Sequence, residues 1–332
     1  AVVGLLAMLI GQGAALAVTF DQHPFYLRWA RTDLPVSTGD VHRTWTWGPE
    51  PISVGLDEAY AESPGGMRRV QYFDKSRMEI NDPNANSGDL WYVTNGLLVV
   101  EMATGRVQVG DNQFEDAEPA QVLVAGDQSE QSDAPSYAVV GQLMDEPARP
   151  VGELIIERAS AEGAVYEDEL FVNAGVTGAY LAPETGHVVA SVFWEFMNSS
   201  GIVADDAMYF EDELFIDPFY ATGLPITEAY WTTIPVGGVL KDVLFQCFER
   251  RCLTYTPANE LGWQVEAGNV GRHYFEWRYG EPATMEVMIF LVAIGDDGQS
   301  GEEIGCDDSL VGITREIPTT GDPIQGALEA LL

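Results

Sequence analysis

The stretch Phe245–Tyr255 reads FQCFERRCLTY, and an earlier stretch, Val70–Ile80, reads VQYFDKSRMEI. Both contain a glutamine, a phenylalanine, an acid and a base in the same order. A strand with one apolar face and a neighbouring charge pair accounts for these four residue types. The two stretches therefore predict a repeated β-strand as the basis of the fold. The shared positions are Gln71 and Gln246, Phe73 and Phe248, Asp74 and Glu249, and Lys75 and Arg250.

The similarity extends on both sides of these stretches. Upstream, Glu58-Ala59-Tyr60 matches Glu228-Ala229-Tyr230, and each tripeptide is followed by a Gly-Gly pair. Downstream, Trp91-x-Val93-x-x-Gly96 matches Trp263-x-Val265-x-x-Gly268 with identical internal spacing. Several matches in one order are unlikely by chance, so the sequence predicts a duplicated unit.

Each unit is predicted to be a β-hairpin followed by a short helix. Gly-Gly pairs favour tight turns, and the flanking runs are rich in Val, Tyr, Phe and Thr. Helices are expected after the hairpins at 96–102 and 268–279, and before them at 24–31 and 191–198. The predicted fold class is α+β and β-rich, with repeat units at 22–112 and 180–280 joined by an acidic linker or insert at 113–179. Within that insert, Tyr137–Met144 is expected to form a short helix, which Arg149-Pro150 interrupts.

The last part of the chain has a different character. Residues 287–293 form a continuous apolar run typical of a buried strand, and 295–301 form a turn-rich loop. A second strand at 310–317 and an amphipathic helix from 324 are expected to follow. Residues 284–332 therefore predict part of a separate α/β domain.

The charge balance restricts the partners. With 52 acidic against 16 basic residues, the formal net charge is −36. Such a surface repels phosphate backbones and anionic lipid, which disfavours a nucleic-acid partner and docking on a membrane. Hydration in a salty medium and binding of divalent cations both remain open as reasons for this composition.

The first seventeen residues, AVVGLLAMLIGQGAALA, end in Ala-Leu-Ala after an apolar run. This is typical of the apolar region and cleavage site of a secretory signal peptide. We expect residues 1–17 to be the remnant of such a signal and the protein to be secreted, to the extracellular space or the cell envelope. No other segment approaches 18 apolar residues, so no membrane span is expected in the mature chain.

Two resemblances to families are visible in these motifs. GLPITE at 223–228, then FQCFERRCLTYTP and WQVEAGNVGRHYFEWRYG, resemble exported bacterial repeat proteins of unassigned activity and, more loosely, LGFP repeats of cell-surface proteins. IFLVAIGDDGQSG, IGCDDSL and IPTTGDPIQGALEALL resemble the beginning of a GerMN domain, known from sporulation, germination and envelope proteins. The resemblances imply envelope modules, and they carry no catalytic residues to transfer.

The histidines and cysteines indicate little catalytic chemistry. His23, His42, His187 and His273 are spread along the chain without a second ligand at metal-binding spacing. No catalytic residue, metal ligand or cofactor is therefore predicted. Cys252 with His273 is the one nearby nucleophile–base pair, but Cys252 is expected in a strand rather than at a helix N-terminus.

Cys247 and Cys252 are expected to be half-buried thiols, or one of them to pair elsewhere. On a regular strand they lie about 16 Å apart and on opposite faces, too far for a disulfide. They could bond only if the segment between them turned. Cys306 lies in the C-terminal part and indicates no partner.

Asp82–Asp89 (DPNANSGD) offers oxygen ligands at positions 1, 3 and 5, as a calcium loop does. Its glycine comes one position late, and Val93 stands where a bidentate glutamate belongs. An inserted turn is the favoured interpretation.

Four aromatic residues are candidate sugar-binding residues: Trp45, Trp47, Tyr230 and Trp231. Trp45 and Trp47 alternate with threonines, as on one face of a strand, although such aromatics are more often core residues.

The sequence thus predicts an exported cell-surface or envelope protein with a non-catalytic binding or scaffolding role. Its expected partners are wall polysaccharide or envelope proteins. The alternatives are a wall or glycan hydrolase, acting through carboxylates or Cys252, and a calcium-stabilised structural protein of the surface.

Overall fold

The computed structural model of this chain describes residues 19–280, except 130, 206 and 207. The predicted signal remnant at 1–17, the partial α/β domain at 284–332 and Cys306 lie outside the described residues. The described part is a mixed α+β fold in which strands predominate, as predicted.

The elements follow one another in a regular order along the chain. The first half contains α1 (His23–Ser37), β1 (Leu56–Ala59), β2 (Met67–Phe73), β3 (Ser76–Ile80), β4 (Thr94–Asn95), α2 (Leu98–Thr104), β5 (Arg106–Gly110), β6 (Gln113–Asp116) and α3 (Tyr137–Leu143). The second half contains β7 (Glu157–Ala159), β8 (Val165–Glu167), β9 (Gly178–Leu181), β10 (Val188–Ala190), α4 (Ser191–Met197), β11 (Ser200–Asp205), β12 (Met208–Glu213), β13 (Tyr230–Val236), β14 (Val239–Cys247), β15 (Cys252–Tyr255), β16 (Val265–Ala267) and α5 (Val270–Tyr279).

Two antiparallel meanders form the main sheets. Strands β1 to β4 pair in chain order and are followed by α2, while β13 to β16 pair in chain order and are followed by α5. Gly237 and Gly238, at φ 60° and 75°, make the two-residue turn from β13 to β14. A side chain would strain that backbone, so the glycine pair is required there.

The five helices α1 to α5 lie at the five positions where the sequence predicts a helix.

The two signature stretches form hairpins, and the prediction of a single strand in each was wrong. Val70–Ile80 runs from β2 through Asp74-Lys75 into β3, and Phe245–Tyr255 runs from β14 through residues 248–251 into β15. The predicted alternation of buried and exposed residues is not observed, because these strands are covered on both faces of the sheet. All five residues of β3 are buried, for example.

The cysteine prediction was wrong because the chain reverses between the two cysteines. Residues 248–251 turn, closed by a hydrogen bond from the Phe248 N–H to the Arg251 carbonyl at 2.9 Å. Cys247 and Cys252 thereby become a cross-strand pair with Cα atoms 4.0 Å apart, and they form a disulfide. In the first sheet, Tyr72 and Arg77 occupy the corresponding cross-strand pair.

The retained glutamines tie each meander to the segment before a helix. The Gln71 amide accepts from the Asp21 N–H and donates to the carbonyls of Thr19 and Ser53. Gln246 accepts from the Ala190 N–H and donates to the carbonyls of Val188 and Thr227. Both side chains are fully buried, so their polar atoms require these partners.

The helices after the meanders each contact the other meander. At the start of α5, the N–H groups of Gly271 and Arg272 donate to the Asp74 carbonyl at 3.0 and 3.2 Å. At the start of α2, those of Val99 and Val100 donate to the Glu249 carbonyl at 3.2 and 3.4 Å. Free N–H groups at a helix start need acceptors, and each hairpin turn supplies one to the distant helix.

The largest core cluster contains residues of both meanders and of the segment between them. It includes Tyr72, Met102, Val140, Phe245 and Tyr274. Val140 lies on α3, and β7 and β8 extend the second sheet, so residues 113–179 are integrated into the fold. Hydrophobic burial thus joins all three segments.

Candidate functional site

Three of the four candidate sugar-binding aromatics are buried. Trp47, Tyr230 and Trp231 are 3%, 1% and 1% exposed, and Trp45 is half-buried. Trp231 stacks on Phe171 with ring centroids 4.4 Å apart and donates to the Ile155 carbonyl. These rings belong to the core and do not form an exposed aromatic face.

The segment around Trp45 and Trp47 is a loop, so the predicted strand is absent there. The buried Asp33 carboxylate of α1 accepts hydrogen bonds from the N–H groups of Thr46, Trp47 and Gly48. These three bonds replace a sheet ladder as the partners of the loop backbone.

The proposed nucleophile–base pair does not assemble. Cys252 is held in the disulfide, so it has no thiolate to offer while that bond is intact. His273 instead places Nδ1 3.1 Å from the hydroxyl oxygen of Tyr137.

Asp82–Asp89 adopts the turn conformation favoured above. Asp82 and Asn86 accept from the backbone N–H two residues later, and Asp89 accepts from the Trp91 N–H. Side-chain oxygens are thus used in local turns. Among the residues that the structure describes, no group of three or more His, Cys, Asp or Glu side chains is arranged to hold a metal ion.

An open cavity of about 240 Å³ lies between the segment 146–154, which follows α3, and strands β7, β8 and β13. This volume is below the range of about 300–1,000 Å³ typical for drug-sized ligands, so it suits one small group. Of the four predicted aromatics, Tyr230 lines it. The other lining residues are Glu146, Pro147, Ala148, Arg149, Pro150, Glu153, Leu154, Glu157 and Val165.

A chain of polar and charged side chains leads from the interior to this cavity. His187 Nδ1 lies 3.1 Å from Glu228 Oε1, and Glu228 Oε2 lies 3.8 Å from Arg149 Nε. Arg149 in turn pairs with Glu157 at the cavity wall. The Arg149 guanidinium also covers the Tyr230 ring at 5.0 Å, a cation–π contact. Arg149 is therefore fixed by three neighbours.

This arrangement explains the repeated Glu-Ala-Tyr tripeptide. In the second meander Arg149 lies over Tyr230 and beside Glu228, and in the first Arg68 lies over Tyr60 at 4.7 Å and beside Glu58. In both, the tripeptide holds an arginine between a carboxylate and an aromatic ring. The sequence shows the tripeptide twice, but Arg149 lies about 80 residues before its partners. No local pattern connects them.

The counterpart around Glu58 is closed. Glu58 contacts Arg68, Arg77 and Arg278, at 3.4, 3.1 and 3.1 Å, and receives hydrogen bonds from Tyr72 and Tyr279. Burial alone would raise the pKa of Glu58, but the three guanidinium groups outweigh it and lower the pKa to about 2.

Glu79 and Glu101 complete this buried ion cluster, which consists of Glu58, Arg68, Arg77, Glu79, Glu101 and Arg278. Burial opposes ionisation of Glu79, but Arg68 and Arg77 keep its pKa below the ordinary value. For Glu101 burial dominates, and its pKa is raised. Since this cluster is buried and its ion pairs join its own members, the open cavity beside Arg149 is the candidate functional site.

Comparison with known protein families, with curated proteins and with solved structures finds no match to this chain. The site must therefore be interpreted from its own geometry.

No helix in the described part of the chain combines the length and the apolar character needed to cross a bilayer.

Proposed function

We propose that this chain is an exported protein of the cell surface or envelope, with a non-catalytic binding or scaffolding role. The Cys247–Cys252 disulfide supports export, because disulfides form and persist in oxidising compartments. The net charge of −36 is in keeping with a highly hydrated surface.

The observation that carries the binding role is the open polar cavity with its fixed arginine. Arg149 is held by Glu157, Glu228 and Tyr230, so the wall of the cavity is formed before a ligand arrives. Preformed polar walls favour binding because little side-chain entropy is lost.

The partner classes are those expected from the sequence, wall polysaccharide and envelope proteins. The cavity wall carries Glu146, Glu153 and Glu157 against Arg149. This surplus of carboxylates favours a ligand with a positively charged group over a neutral polymer. An envelope protein is therefore the first partner class to test.

We also propose that the two meanders are copies of one unit, related to the exported repeat proteins and, more loosely, to LGFP repeats. The same order of elements, the matching glutamine contacts and the reciprocal helix contacts support this. A GerMN-like domain at 284–332 is part of the same proposal.

Purified protein immobilised on beads should retain a component of a cell-envelope extract. The double variant Glu146→Gln/Glu153→Gln should retain less, because it removes two charges from the cavity wall, whereas Glu115→Gln/Glu118→Gln, at exposed positions that do not line the cavity, should behave as the unmodified protein. Beads carrying the same protein, incubated with purified cell wall, test binding to wall polysaccharide. If no envelope fraction is retained, the binding role is wrong.

Export is tested separately by the redox state of the protein in its own cells. Denaturing alkylation before reduction should leave Cys247 and Cys252 unlabelled. Labelling of both cysteines would contradict an oxidising location.

A further inference from the structure

Strand β8 is one of the two outer strands of the six-stranded sheet, and it borders the cavity. The Ser160 N–H bonds to the Ala164 carbonyl at 3.0 Å, and the Asp168 N–H bonds to the Ile156 carbonyl at 2.9 Å. Because bonding alternates along an antiparallel pair, Val165 and Glu167 direct their N–H and C=O groups away from β7. Within the described part of the chain, β7 is the one strand paired with β8. The outer edge of β8 therefore offers two donors and two acceptors.

The surroundings of this edge are strongly negative. Glu167 lies directly opposite Glu157 in the register, and like charges at such positions repel. Glu146 and Glu153 line the same cavity. Of these four carboxylates, Glu157 is the one that Arg149 pairs with. A positively charged group entering the cavity would reduce the remaining repulsion.

Arg149 is not available to bind an anion. It contacts Glu157 on one side, and on the other it lies 3.8 Å from Glu228 Oε2, a fully buried oxygen without a hydrogen bond. The two carboxylates already exceed its single charge. An acidic ligand would meet net repulsion here, and this selects a basic one.

Apolar surface accompanies the edge. Leu154 and Val165 line the cavity at 42% and 36% exposure, and Val151 and Tyr166 are 54% and 50% exposed. Side chains of an added strand alternate between the two faces of the sheet. Side chains on one face of the added strand would therefore contact the carboxylates of the cavity. Its uncharged side chains would cover the apolar residues.

We propose that β8 and the cavity form a docking site for a basic, extended polypeptide segment. The segment adds a short strand to β8 and places a lysine or arginine side chain in the cavity, a mode in which backbone bonds give affinity and a pocket gives specificity. This inference rests on the binding role proposed above and names its ligand class. Acidic residues on an outer strand also discourage aggregation, but that role requires no cavity and predicts no peptide binding.

The test uses the whole chain and a fluorescent, end-capped peptide of alternating valine and lysine, with binding followed by fluorescence anisotropy. A peptide with glutamate in place of lysine is the charge control. A peptide methylated on alternate backbone nitrogens is the control for strand addition. The lysine peptide should bind, more weakly at high salt because exposed charges are screened, and both control peptides should bind at least about tenfold more weakly.

Two variants locate the site. Glu146→Gln/Glu153→Gln should weaken binding of the lysine peptide about tenfold, whereas Glu115→Gln/Glu118→Gln, with the same change in net charge on and just after β6, should not. Val165→Pro removes an N–H that faces away from β7, so it should weaken binding while leaving the sheet paired.

Equal binding of lysine and glutamate peptides, or equal effects of the two double variants, would overturn the proposal. So would binding of wall polysaccharide, rather than peptide, that depends on Glu146 and Glu153. If the envelope extract still yields a partner while the lysine peptide fails, the binding role stands and the peptide-docking site is wrong.

Discussion

His273 is a titratable residue whose pKa the fold shifts away from its ordinary value. It lies on α5 with Nδ1 3.1 Å from the Tyr137 hydroxyl, and it is half-buried. Burial lowers its pKa, and the positive charges of Arg272 and Lys75 lower it further, to about 4. The folded protein therefore holds this imidazole neutral at pH values where an unfolded chain would protonate it.

We expect the contribution of His273 to the free energy of unfolding to fall as the pH drops from about 6.5 towards 4. In that pH range the unfolded chain binds a proton at His273 and the folded chain does not, so protonation favours unfolding. The expected loss is on the order of 1–3 kcal/mol. All eight tryptophans lie between Trp29 and Trp277, so urea titrations followed by tryptophan fluorescence report on the described part of the chain.

The variant His273→Gln should remove most of this pH dependence, because glutamine does not titrate. His23→Gln, on an exposed histidine, should leave the profile of the unmodified protein intact. A profile that is unchanged by His273→Gln would show that another group controls stability in this window.

At the scale of residues, the sequence indicated which positions are important. It indicated less about the role of each one. Gln71 and Gln246 were identifiable as a shared signature. Their role as bridges to the backbone before α1 and α4 depends on partners about 50 residues away. Trp231 and Trp47 were ambiguous because an aromatic residue in a strand pattern suits a binding face as well as a core, although the core is the commoner place.

Among the elements, helices were predicted well and strands only in part. Gly105 ends α2 in the left-handed conformation, a local signal that the sequence displays. The turns at Asp74-Lys75 and at 248–251 contain neither a Gly-Gly pair nor a proline. Each signature stretch therefore resembles one strand until its pairing is known.

Gly271 permits the contact between α5 and the β2–β3 turn. A Cβ at this position would lie 2.0 Å from the Phe73 carbonyl oxygen and 2.4 Å from that of Ser76. Helix propensity alone predicts that Gly271→Ala stabilises the protein by about 1 kcal/mol. Steric exclusion predicts the opposite, and we expect a loss of about 3 kcal/mol or more.

Urea denaturation of Gly271→Ala distinguishes these two outcomes by the sign of the change. Gly175→Ala is the matched control, since Gly175 has φ 68° and no heavy atom within 4 Å of a Cβ. That variant should lose about 1 kcal/mol from backbone strain alone. A stabilised Gly271→Ala variant would mean that α5 does not approach the hairpin so closely.

On the scale of the whole molecule, the buried ion cluster connects the first meander with the two helices that follow the meanders. Glu58 lies on β1, Arg77 and Glu79 on β3, Glu101 on α2 and Arg278 on α5. Neither this cluster nor the cavity could be predicted, because each gathers residues from segments far apart in the chain. The cavity joins residues 146–157 with Val165 and Tyr230.

Replacing Arg77 with methionine should destabilise the protein by about 3–5 kcal/mol, because it removes one of the positive charges that balance three buried carboxylates. Arg69→Met is the control: it breaks ion pairs with Asp21 and Asp57 that are partly exposed, and should cost about 1 kcal/mol or less. Acid should reduce the difference in the free energy of unfolding between Arg77→Met and the unmodified protein. Protonation of Glu58 and Glu79 removes the charges that Arg77 balances. Equal urea midpoints for the two variants at neutral pH would contradict a stabilising role for the cluster.

The reciprocal helix contacts predict that the two meanders unfold together. Helix α5 donates to Asp74, helix α2 donates to Glu249, and one core cluster contains Tyr72, Phe245 and Tyr274. Unfolding of either meander would expose the core surface of the other, so partial unfolding gains little entropy for a large exposure of apolar area.

The variant Cys247→Ala/Cys252→Ala removes a disulfide from the second meander alone and should lower the free energy of unfolding by about 2 kcal/mol. Hydrogen exchange followed by mass spectrometry should then show faster exchange by the same factor in peptides from β2–β3 and from β14–β15, provided that both exchange through global unfolding. Acceleration confined to β14–β15 would show that the meanders are independent folding units.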